Sequence, residues 1–190
     1  MDETSGTWGG VRGRVRSADG TTIAYELRGE GTPVILVSGA PCTAESGQPL
    51  ADLLAPRYAI VTYDRRESGV EQEEIEDLAA LIDEVGGKAF VHGIGSGGAL
   101  ALAAVAAGLP VERLSVFEPP FSAEAAARLG RVHARVLVVD GGASPSRTRR
   151  AAVAVSTALP RGRHRTLTGQ THEVAPHVLA PVLEGFYEEE

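Results

Sequence analysis

The sequence predicts an α/β fold: a mostly parallel, mixed β-sheet with helices on both faces. Short apolar runs recur along the chain, and such runs are typical of parallel strands that are buried on both faces. Amphipathic or alanine-rich stretches alternate with these runs, as expected for successive βαβ units. Near the start of the chain, two strand-like runs are joined by a turn signal, and this hairpin adds an antiparallel edge to the sheet.

The hairpin comprises residues 12–17 and 22–27, with Asp19-Gly20 in the turn between them. Residues 1–11 form a segment that we predict to be flexible, because it is mostly polar and rich in glycine. A chain of 190 residues is long enough for one hydrophobic core, and no linker or internal repeat divides the remainder. Residues 12–190 are therefore predicted to form a single domain.

The remaining strands are short and apolar. They are predicted at 33–37, 59–62, 89–92, 114–117, 136–139 and 164–167. The clearest helix spans 70–85, because Ile75, Leu78 and Ile82 fall on one face and acidic residues crowd its first turns. Further helices are predicted near 48–55, 96–107, 145–158 and 176–187. Strands thus alternate with helices from residue 33 to the end.

Composition and charge argue against several classes of protein. The formal net charge is −7, and an acidic chain of this size lacks the clustered Lys and Arg that nucleic-acid binding needs. The single cysteine, Cys42, cannot form an internal disulfide. The start of the chain does not resemble a signal peptide, and no apolar stretch approaches the roughly 20 residues of a membrane span. We therefore expect a cytoplasmic protein that binds neither nucleic acid nor membrane.

The most informative motif is Gly93-Ile94-Gly95-Ser96-Gly97-Gly98. It lies between a predicted strand and a predicted helix, which is the context of a nucleophile elbow, G-x-S-x-G. The frame fits, but its middle position is glycine, so the scaffold of a serine nucleophile is predicted without the hydroxyl. The motif lacks the Lys-Ser/Thr pair of a phosphate loop, and no His, Cys, Asp or Glu grouping has metal-ligand spacing. We expect no cofactor and no metal.

Several segments, taken in order, resemble the α/β-hydrolase superfamily. They are Asp19-Gly20 with Ile23-Ala24-Tyr25, the run from Val34 to Gly39, the run from Tyr63 to Gly69, Phe117-Glu118-Pro119-Pro120, the run from Val136 to Ser144, and the run from Leu167 to His172. The resemblance implies the fold described above. Only residues 121–134 separate the sixth and seventh strands, which leaves no room for the cap domain that many members insert there.

The resemblance also implies a site at the carboxyl ends of the strands. Gly95 occupies the nucleophile position, and His172 is the expected base. Either Asp140 or Glu118 would orient its imidazole. The oxyanion hole would use the backbone amides of Ser96 and Ala40, with Gly39 beside them. Glycine offers no side-chain oxygen, so an acyl-enzyme cannot form at position 95.

Three hypotheses about function remain open at this point. The first is a non-serine enzyme acting on a small carbonyl-containing metabolite, such as a biosynthetic cyclase, lyase or isomerase, with His172 as acid–base catalyst. The second is a serine esterase or hydrolase in which Gly95 is an inactivating replacement. The third is a non-catalytic member of the superfamily that binds a ligand or another protein. A protein partner, such as a second copy of the chain in a homodimer, would bind at the uncapped face, which is the surface above Gly95 where other members carry a cap domain. Phe121, Leu129 and Leu109 are the predicted apolar residues of that face.

The other histidines are predicted to have structural roles. His92, on the fifth strand, is expected in the core or at the strand end with its hydrogen bonds satisfied. His133, His164 and His177 are expected at the surface or in loops.

Overall fold

The computed structural model describes residues 10–39, 44–66 and 70–189. Within this part of the chain, eight strands form one sheet in the order β1-β2-β4-β3-β5-β6-β7-β8. The strands are β1 (Val11–Arg16), β2 (Thr22–Arg28), β3 (Thr32–Val37), β4 (Tyr58–Tyr63), β5 (Ala89–Ile94), β6 (Val111–Phe117), β7 (Arg135–Gly141) and β8 (Gly162–Leu167).

The connections after β3 are helical. The helices are α1 (Gln48–Leu54), α2 (Glu71–Glu84), α3 (Ser96–Ala106), α4 (Ala123–Leu129), α5 (Ser146–Ala158) and α6 (Pro176–Tyr187), and a short 3-10 helix (Ala44–Gly47) precedes α1. Among the described residues, no helix combines the length and apolarity needed to cross a membrane.

The pairing of the strands confirms the predicted mixed sheet. β1 pairs with β2, and β2 with β4, in antiparallel fashion, while every other neighbouring pair is parallel. Because β3 to β8 are parallel, their carboxyl ends all meet at one edge of the sheet. In open α/β sheets this edge is where ligands bind.

Two apolar cores cover the two faces of the sheet, which confirms the prediction of helices on both sides. Residues of α2, α3 and α5 pack on one face, and residues of α1 and α6 pack on the other. The strands between them are apolar on both faces, as Ile35 and Val34 of β3 illustrate with no measurable exposure.

The structure differs from the sequence prediction in a few places. α4 was not predicted, since its seven residues offer little periodicity; the Ser122 hydroxyl caps it by accepting a hydrogen bond from the Ala125 amide at 3.1 Å. This short helix occupies the connection between β6 and β7, where no cap domain is present. The predicted flexible segment falls mainly on residues 1–9, which lie outside the described residues, and β1 begins at Val11, one residue before the predicted domain.

Candidate active site

The turn between β5 and α3 has the backbone conformation of a sharp elbow. Gly95 has φ 53° and ψ −120°, a region that L-residues rarely occupy. Its amide donates a hydrogen bond to the Phe117 carbonyl at 2.9 Å, and its carbonyl accepts one from the Ala99 amide at 3.2 Å. The elbow is therefore anchored to the end of β6 on one side and continues into α3 on the other.

The first turn of α3 lies directly on the end of β3. A β-carbon at Gly97 would come within 2.6 Å of the Ser38 carbonyl oxygen and closer still to that of Val37. A glycine is required there, because any side chain would force the helix away from the strand. This contact brings the N-terminus of α3 next to the loop that follows β3.

His172 lies opposite the elbow, on the loop that leads from β8 to α6. A β-carbon at Gly95 would lie 3.4 Å from His172 Cε1 and 3.7 Å from Nε2. The histidine side chain is 62 % exposed, so its ring is open to solvent above the elbow. The structure thus brings together the two positions that the resemblance paired.

Glu118 is the carboxylate that contacts His172. Its Oε2 lies 2.9 Å from His172 Nδ1, and its Oε1 accepts a hydrogen bond from the Gly141 amide at 2.9 Å. Since a carboxylate accepts, the Nδ1 atom of a neutral imidazole carries the proton, which leaves Nε2 with a lone pair. The other ring nitrogen, Nε2, lies near the space above Gly95.

Glu118 has a strained backbone. Its φ is 46°, which makes it the one non-glycine residue with positive φ in the described part of the chain, and it is only 4 % exposed. Such conformations cost about 1–3 kcal/mol and concentrate at functional sites. The strain places the carboxylate between the ends of β6 and β7, where it reaches both Gly141 and His172.

Asp140, the alternative partner predicted for His172, contacts a different histidine. Its Oδ2 lies 3.1 Å from His164 Nε2, on the neighbouring strand β8. Asp140 points in this direction because Asp140 and Thr166 are register partners of β7 and β8, and His164 is two residues away on the same face. Of the two predicted carboxylates, the structure therefore joins Glu118 to His172, and it ties Asp140 to β8.

The predicted oxyanion residues are only partly described. Ser96 is the first residue of α3, so its amide is one of those that point outward at the helix N-terminus. Gly39 lies beside it, since a β-carbon on Gly39 would be 3.8 Å from Ser96 Oγ. Ala40, the second predicted donor, lies outside the described residues.

Arg65 is a site residue whose role sequence reasoning missed. Its Nη1 donates to the Ser38 carbonyl at 2.9 Å and to the Ser96 hydroxyl at 3.1 Å. Nε and Nη2 donate to the two carboxylate oxygens of Glu74, at 2.9 and 3.0 Å. The guanidinium thus ties the loop after β3 and the start of α3 to helix α2. The sequence did contain a signal for this ion pair, because Arg65 follows a predicted strand and Glu74 lies in the first turns of the next predicted helix.

A groove of about 350 Å³ lies between α3 and α4, and none of the candidate site residues lines it. Phe121 stands at its surface with 39 % exposure, whereas Leu129 is 2 % exposed and belongs to the core beneath. Of the three residues predicted for the uncapped face, Phe121 and Leu129 line this groove, although Leu129 offers almost no accessible surface. Leu109 does not line this groove and packs partly buried against the core.

In the described part of the chain, no three His, Cys, Asp or Glu side chains are grouped closely enough to hold a metal ion. His92 is buried on β5 as predicted, with Nδ1 2.9 Å from Ser115 Oγ. Its Nε2 has no hydrogen-bond partner among the described residues, which contradicts the expectation of a fully satisfied histidine.

The fold and this site define a class of protein, and comparison with known proteins agrees. Residues 34–189 match the profile of the Alpha/beta hydrolase family, and the chain belongs to that family. An alpha/beta hydrolase from Sphaerobacter thermophilus is 34% identical, with a TM-score of 0.86, and the match covers 92% of this chain and 100% of that one.

More distant structures share the fold. A putative non-heme bromoperoxidase from Mycobacterium tuberculosis is 16% identical, with a TM-score of 0.78 and coverage of 87% of this chain and 95% of that one. An esterase from Rhodococcus is 19% identical, with a TM-score of 0.78 and coverage of 92% and 98%. No curated protein gives a significant match to the chain.

Proposed function

We propose that the protein is a non-serine enzyme of the α/β-hydrolase family that acts on a small carbonyl-containing metabolite by acid–base catalysis. The observation that carries the proposal is the contact between His172 Nδ1 and Glu118, which turns Nε2 toward the space above Gly95. An imidazole oriented by a carboxylate is a competent general base at neutral pH.

Gly95 favours chemistry without a covalent intermediate. It supplies no nucleophilic atom, so Nε2 has no neighbouring hydroxyl to activate there. Because a β-carbon would already touch the imidazole at 3.4 Å, glycine lets a substrate atom approach the backbone of the elbow more closely than any other residue would.

The surroundings suit a developing negative charge on oxygen. The N-terminus of α3 contributes outward-pointing amides and the positive end of the helix dipole. Arg65 donates a hydrogen bond to the Ser96 hydroxyl at this corner, although the Glu74 carboxylate compensates its charge. When Nε2 removes a proton next to a carbonyl, the electron pair moves to the carbonyl oxygen, and the resulting enolate oxygen would lie at this positive corner. An isomerase, a lyase or a cyclase can each use that step.

Solvent deuterium exchange into simple ketones tests the proposed proton abstraction. In D₂O, proton abstraction next to a carbonyl exchanges the α-hydrogens of ketone probes such as acetone and dihydroxyacetone, which proton NMR follows directly. We expect the wild-type protein to accelerate the exchange, and His172→Ala to lower the rate by about 10²-fold or more. His133→Ala is the matched control, since His133 is an exposed histidine before β7, at the opposite end of the sheet. Equal rates for wild type and His172→Ala would refute the proposal.

One observation favours the serine-hydrolase hypothesis as a second candidate. Gly95 keeps the strained conformation of an elbow and faces the imidazole, as a serine nucleophile would. Under this alternative, the wild-type protein catalyses no exchange with any ketone probe, and Gly95→Ser hydrolyses activated esters with full turnover.

A further inference from the structure

The groove between α3 and α4 is open to solvent and has the size of a ligand pocket. Its volume of about 350 Å³ lies within the range of small-molecule sites, which is about 300–1,000 Å³. Alanines face it from both helices: Ala99 and Ala103 lie one turn apart on α3, and Ala125 lies on α4. Because these three side chains are short and only partly buried, the two helices leave an accessible space between them.

The floor of the groove is apolar and belongs to the core. Leu102 of α3, Leu129 of α4 and Val155 of α5 line it, and all three are buried. Phe121 lines the same groove and is one of the few large apolar side chains in the described part of the chain that stay exposed. An exposed apolar residue beside an apolar concavity is typical of a site that binds an apolar group.

The volume sets the size of that group. One water molecule takes up about 30 Å³ in the liquid, so 350 Å³ has room for about ten to twelve non-hydrogen atoms. An apolar body of this size would cover the floor and remove apolar surface of both partners from water, which is the main driving force for such binding.

The charged residues that line the groove carry a net negative charge. They are Glu71, Glu124 and Arg128, all partly exposed, and we call them the rim of the groove. Arg128 forms ion pairs with both glutamates, and its Nη2 donates to Glu124 Oε1 at 2.7 Å. One guanidinium thus faces two carboxylates, so one negative charge is left over, and the whole chain, at −7, has the same sign. The rim therefore attracts a cation, whereas an anion would have to displace a carboxylate from Arg128.

We propose that this groove binds an organic ammonium ion with an apolar body of about ten non-hydrogen atoms. The apolar body packs on Leu102, Leu129 and Val155. The ammonium group lies at the rim, where it meets the excess carboxylate and where the ring of Phe121 can stabilise a cation. Binding here is independent of the proton abstraction proposed above, because no candidate active-site residue lines the groove.

The proposal is tested with 4-phenylbutylammonium as the probe, at low ionic strength. In the full-length protein with ¹³C-labelled methyl groups, we expect this probe to shift the resonances of Leu102, Leu129 and Val155 saturably, with one dissociation constant. Two matched probes have the same number of non-hydrogen atoms: 3-phenylpropanoate is anionic, and 4-phenylbutan-1-ol is neutral. The anion should bind at least tenfold more weakly than the ammonium probe, and added salt should reduce that difference.

A pair of alanine substitutions locates the binding site. Ala125→Leu fills part of the groove and should weaken binding of the ammonium probe at least tenfold. Ala127→Leu is the matched control, because Ala127 is exposed on the same helix and does not line the groove. It should bind the probe as the wild type does.

A pair of glutamate substitutions tests the role of charge. Glu124→Gln removes one carboxylate and keeps the ion pair between Arg128 and Glu71, so it should lower the preference for the ammonium probe over the anion about threefold. Glu112→Gln makes the same change in net charge at the other end of β6, where Glu112 pairs with Lys88. This control should leave the preference unchanged.

Several results would overturn the proposal. Without a saturable shift from the ammonium probe, or with full binding to Ala125→Leu, the groove is not the site. Equal or tighter binding of 3-phenylpropanoate would show that the rim does not select a cation. Methyl shifts that depend on protein concentration without any probe would show that a second copy of the chain covers the groove instead.

Discussion

Gly95→Ser tests the geometry of the site most directly. The substitution puts a hydroxyl at the elbow, where a β-carbon would lie 3.7 Å from His172 Nε2. A carbon–oxygen bond is shorter than that separation, so a staggered rotamer can bring the oxygen within the hydrogen-bonding distance of about 2.6–3.2 Å. The same N-terminus of α3 that would hold an enolate would then face the oxyanion of an acyl-enzyme intermediate.

The stability cost of this substitution follows from the backbone. At φ 53° and ψ −120°, a side chain costs about 1–3 kcal/mol, and the contact of 3.4 Å with His172 Cε1 adds no severe clash. For a domain of this size, 1 kcal/mol lowers the melting temperature by about 2–4 °C. We therefore expect Gly95→Ser to melt about 2–12 °C below the wild type and to remain folded at 25 °C.

The assay is the release of p-nitrophenol from p-nitrophenyl acetate, with mass spectrometry to detect acetylation of the serine. Gly95→Ala carries the same backbone strain without the hydroxyl and serves as the control. We expect a burst and an acetylated protein only for Gly95→Ser, and neither for the double variant that also carries His172→Ala. If folded Gly95→Ser behaves like Gly95→Ala, then residue 95 does not face a functional base, and the site as described is wrong.

Three further predictions concern the two carboxylates that contact histidines, the buried His92, and the ion pair between Arg65 and Glu74. Glu118→Gln should lower the exchange rate at least tenfold, because the amide no longer favours the Nδ1–H tautomer, whereas Asp140→Asn should stay within about twofold of wild type, because Asp140 contacts His164. His92 is protonated more readily in the unfolded chain, at an ordinary pKa of about 6.5, than in the folded one, at about 4. The contribution of His92 to the free energy of unfolding should therefore fall by about 3 kcal/mol as the pH drops from 7 to 4, and urea titrations should show that His92→Phe reduces the pH dependence by that amount. Arg65→Met should cost about 3–5 kcal/mol, because Glu74 is left without its partner, and the second substitution Glu74→Met should restore part of that loss.

For each of these three predictions, one outcome of the measurement would contradict it. A larger rate loss for Asp140→Asn than for Glu118→Gln would reassign the carboxylate that orients the imidazole. A His92→Phe protein that keeps the full pH dependence would place the responsible group elsewhere. Additive losses for Arg65→Met and Glu74→Met would mean that the two side chains contribute independently.

The sequence alone determined the sheet, its helices and the chemistry available at position 95. Alternating apolar runs and helical stretches can satisfy their backbone groups and bury their faces in few ways, so the order of elements from residue 33 onward predicted the parallel sheet. The boundaries were less accurate. α4 was missed because this short, alanine-rich segment is held in place by packing against α3 and α5 and by the Ser122 cap, rather than by its own sequence pattern.

Only the tertiary structure decided which side chains meet. Asp140 and Glu118 both end neighbouring strands, and local sequence cannot tell which one reaches His172; that depends on strand register and on the strained φ of Glu118. The hydrogen bond between Arg65 and Ser96, and the one between His92 and Ser115, are likewise contacts between residues far apart in the chain. Local patterns report on neighbours within a few residues, whereas a catalytic site is assembled from loops that only the packed sheet brings together.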